Sequence, residues 1–144
     1  MKKILILFLL APLAYGAKAQ NSTAIADTIL VGSIEKNCPG GFDAFNMYIE
    51  KNAHPAAKAY ENKKVGTTYV SFIIEPDGSV SNVCTILAAG YGMDEEAIRV
   101  ISNSNNWIPA KIGNKPVRCF CRAAIQFSAD YAKHETWITA KRID

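Results

Sequence analysis

The sequence predicts an α+β fold, and three observations carry that prediction. Residues Val117 to Phe127 alternate, with Val117, Cys119, Cys121, Ala123, Ile125 and Phe127, all apolar, at the odd positions and Arg118, Phe120, Arg122, Ala124 and Gln126 between them. Period-two alternation means a strand with one buried and one wet face. Upstream, the β-prone runs Thr67–Ile74 and Ser79–Leu87 flank Pro76-Asp77-Gly78, a turn in which Pro presets φ and Gly accepts a positive φ. Around these lie two helical patterns, Phe42 to Asn52 and one opening at Asp94.

The helix over Phe42–Asn52 follows from Phe42, Phe45, Tyr48 and Ile49, which fall on one stripe while Glu50 and Lys51 stay outside it. His54-Pro55 ends it, because a residue before proline is biased away from helix. Pro55 then suits the start of a short helix over Ala56–Glu61. In the later helix the Asp94 carboxylate is placed to cap free N–H groups, and Glu95 and Glu96 favour the positive end of the helix dipole. Ser102 to Asn106 are poor helix formers, so this helix ends by Asn103. Thr28–Ile34 is a short β-prone run, either an added strand or an ordered arm. Residues 131–144 read as a loose terminal helix.

The N-terminus has the pattern of a secretory signal peptide. Lys2 and Lys3 precede an apolar run from Ile4 to Tyr15, and Ala17-Lys18-Ala19 is a small-x-small cleavage site before Gln20. At ~1.5 Å per residue that run spans roughly 18 Å as a helix, short of the ~30 Å hydrocarbon core. Cleavage is therefore expected over retention as an anchor, with no stable membrane span afterwards. The chain has 16 Lys and Arg against 13 Asp and Glu, but Lys2, Lys3 and Lys18 belong to the leader. What remains is formally neutral and lacks the clustered basic excess of a nucleic-acid binder. The mature length suits one domain with one core. The organisation expected is a signal peptide at 1–19, a lead-in at 20–40, a domain at 41–128 and a tail at 129–144.

Chemistry-bearing constellations are sparse. His54 and His134 have no ligand-spaced neighbours, so no zinc site is expected. No Gly-x-Ser-x-Gly, P-loop or paired-carboxylate pattern occurs, and no cofactor is implied. Four cysteines, Cys38, Cys84, Cys119 and Cys121, in an exported chain point to an oxidising compartment and disulfides, with three connectivities open. Cys119-Phe120-Cys121 invites a metal or thiol-redox reading, but both thiols lie on the buried face of their strand. Their Cα atoms are ~6.6 Å apart along it, near the upper limit for a bridge.

Taken in order, several signals resemble the TonB C-terminal domain family. They are Gly40-Gly41 before an aromatic-rich helix, Pro55 with Ala59, Val70-Ser71-Phe72, Asp77-Gly78-Ser79-Val80, Asn82-Val83, Asp94-Glu95-Glu96-Ala97, Trp107 with Pro109, and Lys115-Pro116-Val117-Arg118. The resemblance covers about residues 40 to 127. It implies a TonB/TolA C-terminal-like, three-stranded antiparallel sheet with helices on one face, the first hairpin strand in the middle and the last strand at an edge. It also implies a periplasmic binding module, not an enzyme, whose last strand pairs with a TonB-box-like peptide of an outer-membrane transporter.

By match, the peptide-binding residues are Arg118, Phe120, Arg122, Ala124 and Gln126. Main-chain bonds would give affinity and the exposed side chains would tune it. The family strand order sets Cys84 ~9.6 Å from the strand of Cys119 and Cys121, too far to bridge. Cys38, beside Pro39-Gly40-Gly41, is then the expected partner of Cys119 or Cys121. The chain departs from the family's force transducers in its short leader and in having no proline between Asn21 and Asn37. Peptide binding without force transmission is the expectation. Self-association into a homodimer is the first rival, and a thiol-redox or metal-carrier role the second.

Overall fold

A computed structural model describes residues 28–143. The expected signal peptide at 1–19 and the start of the expected lead-in lie outside the described residues. The elements in chain order are β1 Ile29–Val31, α1 Ile34–Asn37, α2 Gly41–Asn52, α3 Ala57–Glu61, β2 Gly66–Ile74, β3 Val80–Leu87, α4 Met93–Ser102, β4 Ala110–Ile112, β5 Lys115–Asp130 and β6 Glu135–Lys141.

The expected antiparallel trio is present, with β2 between β3 and β5. The sheet is larger than three strands, however, having six strands of mixed direction. At 16 residues β5 is long enough to hold several partners on its second edge. Here β1 pairs in parallel with Arg118–Phe120, and β6 pairs antiparallel with Ala124–Asp130. β4 forms a hairpin with the start of β5. The tail is thus a strand, correcting the expected terminal helix: Thr136, Ile138 and Thr139 are β-branched, and Ile138 is buried against the core.

The inner faces of β2 and β5 supply Val70, Phe72, Ile74, Cys119, Cys121, Ala123, Ile125 and Phe127 to one core cluster. The helices add Phe45 and Ile49 from α2, and Met93, Ala97, Val100 and Ile101 from α4. Trp107 completes this core. Its ring centroid lies 5.1 Å from that of Phe72 and 5.8 Å from that of Phe45. Its indole N–H donates to Ser104 Oγ at 2.9 Å, so burial leaves no polar atom unpaired. The Trp107 backbone N–H donates to the carbonyl of Gly78, 3.0 Å away. That contact brings the β2–β3 turn close enough for a Cβ at Gly78 to sit 2.6 Å from the Trp107 carbonyl oxygen, and φ there is +83°. Glycine is required on both counts.

Asp94 does not cap α4. Gly92 occupies the N-cap position and the helix starts at Met93. The Asp94 carboxylate instead accepts from the Thr68 hydroxyl at 2.7 Å and from the Ala89 and Gly90 amides at 2.8 Å each, tying the β3–α4 loop to the middle strand. Burial pushes its pKa up, but the three donors outweigh burial and hold it below the usual carboxylate range. A depressed folded pKa contributes stability above the unfolded value of ~3.9, and that stability is lost as pH falls through the folded value. Glu75, held down chiefly by its bonds to Arg118, adds with the same sign. Urea unfolding measured against pH should therefore show stability falling below about pH 4. Asp94→Asn should cost about 1.5–3 kcal/mol at pH 7 and flatten part of that acid limb.

Candidate peptide-binding edge

All five residues expected to meet a peptide lie on the outer face of β5, away from the helices, but they are not equivalent. Arg118 makes a two-bond ion pair with Glu75, Nε to Oε2 and Nη2 to Oε1, both at 2.9 Å. Ser81 donates to the same carboxylate, so Arg118 fastens β5 to the β2–β3 hairpin. Phe120 stands opposite Ile73 of β2 and Val31 of β1. Ala124 is buried between Tyr69 and Lys141 in the register, and Gln126 lies between Thr67 and Thr139. Arg122 alone of the five is exposed.

The expectation that β5 forms a free edge is corrected, because β1 and β6 occupy its second side. Their ladders leave a gap, since β1 stops at Phe120 and β6 starts at Ala124. Cys121, Arg122 and Ala123 have no strand partner on that side among the described residues. A cleft of about 310 Å³ opens at the gap, lined among others by Ile34, Glu35, Phe42, Arg122, Lys141 and Arg142. Arg142 lies over the Phe42 ring, 4.2 Å from its centroid, and pairs with Glu35 at 3.1 Å.

β1 is a thin cover. It has three residues, and its side chains at Ile29 and Val31 are 48% and 84% exposed. Fixing a residue costs about 1–2 kcal/mol, whereas each backbone hydrogen bond returns only about 0.5–1.5 kcal/mol net. With so little apolar burial, these terms nearly cancel. Just after β1 the hold is of another kind. Asn37 accepts the Ser33 amide on Oδ1 at 2.9 Å and donates from Nδ2 to the Ile108 carbonyl at 2.7 Å. Ile108 N–H closes the clamp on the Asn37 carbonyl at 2.8 Å. Between strap and clamp lies Gly32, whose N–H donates to Phe120 O at 2.9 Å. A Cβ at Gly32 would lie 2.3 Å from Cys119 Sγ and 2.9 Å from Cys121 Sγ, so only glycine allows this approach.

The other side of the sheet ends in β3, whose outer side has no strand partner among the described residues. Ile86 and Leu87 are exposed there and line an apolar cleft with Tyr69, Arg122 and Ile143.

A match to the family described as Gram-negative bacterial TonB protein C-terminal spans residues 54–129, more than half of the chain. The chain belongs to the TonB C-terminal family. No curated protein and no solved structure matches it significantly. The family is one of non-enzymatic interaction domains of the Gram-negative periplasm, with a transport-related role and outer-membrane proteins as its general class of partner. The match excludes β1, α1, α2 and β6, so the segments that cover the β5 edge lie outside it. Sequence reasoning singled out Thr28–Ile34 as β-prone but had no means of placing it. Lys141 and Arg142 gave no signal, because only the fold brings them beside Arg122.

In this TonB C-terminal domain all four cysteines are free thiols. Cys119 and Cys121 are fully buried on the inner face, and burial pushes both thiols up, Cys121 the further. Nucleophilic chemistry needs the thiolate, so this environment opposes the thiol-enzyme rival. Among the described residues no group of three His, Cys, Asp or Glu is placed to hold a metal. Cys84 is exposed on β3, opposite Ser71, while Cys119 and Cys121 sit beyond β2. Titration of native protein with a thiol reagent should label Cys84 quickly and Cys119 and Cys121 only after denaturation. Loss of two titratable thiols in denaturant without reductant would instead reveal a disulfide.

Proposed function

We propose that this domain is an exported periplasmic binding module that adds an extended, TonB-box-like peptide of an outer-membrane transporter to its sheet along β5. In this reading Arg122 and Phe120 meet the peptide's side chains, and the open stretch Cys121–Ala123 offers main-chain groups. The single observation that carries the reading is β1 itself. An extended segment already pairs with Arg118–Phe120, and this edge is thus stereochemically suited to strand addition.

A second reading, self-association, draws on a different edge. An edge strand β3 with no strand partner on its outer side among the described residues, carrying exposed Ile86 and Leu87, has the features expected of a strand that pairs with another copy.

Titration of isotope-labelled mature protein with TonB-box-like peptides, followed by backbone amide shifts, separates the two. Strand addition predicts saturable shifts over Arg118–Ala123 with accompanying shifts in Ile29–Val31. Silence there, together with concentration-dependent shifts along Val80–Leu87 in the absence of peptide, would favour the dimer.

A further inference from the structure

We propose that β1 is an internal competitor for the β5 edge, and that a partner segment running parallel to Arg118–Phe120 must displace Ile29–Val31 while Gly32 and the clamp behind it stay in place. This rests on the strand-addition reading and adds to it the orientation and the competitor.

The geometry separates a removable strap from a fixed clamp. From Ser33 onward the chain is held by the Asn37 side chain and its bonds to Ser33 and Ile108. Ahead of Gly32 the backbone pairing among the described residues is the parallel ladder Ile29↔Arg118, Leu30↔Cys119 and Val31↔Phe120. Ile29 is half exposed and Val31 largely so, and the ladder owes much of its hold to the main chain. Main-chain pairing is tolerant of sequence, which allows another aliphatic segment to take the same place. Gly32 marks where the strap ends: with Cys119 Sγ, Asn37 Oδ1 and Cys121 Sγ all within 2.9 Å of its would-be Cβ, it is packed against the strand and continuous with the clamp.

Competition of this kind lowers the apparent affinity by the fraction of molecules in which β1 is undocked. Because the Gly32 N–H points at Phe120 O, the Leu30 N–H two residues earlier points the same way. Leu30→Pro removes that donor and should free β1 while leaving the clamp at Asn37 in place.

The probe is a free peptide with the sequence of residues 28–31 of this chain, titrated into the full mature protein and its Leu30→Pro variant. Binding to the variant should be about tenfold tighter than to the parent, as for a β1 docked about nine times in ten. Shifts should centre on Arg118–Phe120. Equal affinities of parent and variant at β5 would overturn the competitor while leaving strand addition standing. A folded variant that binds no peptide would overturn both. Leu30→Gly, which keeps the N–H and only weakens the strand, serves as the variant should Leu30→Pro fail to fold.

Discussion

The constraint on which this structure depends is the pairing of both edges of β5. A sixteen-residue strand through the middle of a sheet exposes main-chain donors and acceptors along two sides, and each must be satisfied by protein or by water. One side is taken by β2 over nine consecutive residues, and that ladder builds the core. The other side is shared between two segments of different strength. β6 covers Ala124–Asp130 with seven pairs, and its Ala140 amide is tied to Asn46 of α2 at 2.7 Å. β1 covers three residues and buries little. Function, in this account, follows from that inequality.

The rest of the molecule keeps β5 in place. Trp107 joins the hairpin turn at Gly78 to Phe72 and Phe45, so the loop entering β4 and β5 cannot move independently of the sheet. Asp94 fixes the opposite end by binding the loop after β3 to Thr68. Tyr48 donates to the Val100 carbonyl at 2.9 Å and links α2 to α4 across the inner face. A stiff platform is what strand addition requires, because an edge that is already extended and fixed loses little entropy when it accepts a partner.

Much of this was legible in the sequence. The alternation from Val117 to Phe127 gave the buried face of β5, whose inner residues are all apolar, while the face expected to be wet is half-covered, with Ala124 buried and Arg122 alone of its five exposed. The stripe Phe42, Phe45, Tyr48, Ile49 gave α2, and Pro76-Asp77-Gly78 gave the hairpin. What stayed hidden was the occupancy of the second edge. β1 has three residues and β6 buries only Ile138 fully, so neither carries enough periodicity to announce a strand. Pairing between residues 29–31 and 118–120 is a long-range choice made by the fold, with no local signal. The same reasoning explains Asp94: its position before a helix resembled a cap, while its true donors came from Thr68 on a distant strand and from the loop behind it.

A TonB C-terminal domain that carries its own extended segment on the edge expected to receive a partner differs in kind from one whose edge is simply open. The separation between strap and clamp is the decisive point, and native-state hydrogen exchange resolved to single amides tests it most directly. The Leu30 amide should exchange through local opening, orders of magnitude faster than core amides of β2 such as that of Phe72, without unfolding of the domain. Equal protection of Leu30 and Phe72, both rising and falling together with global stability, would make β1 a permanent strand of the sheet and contradict the account.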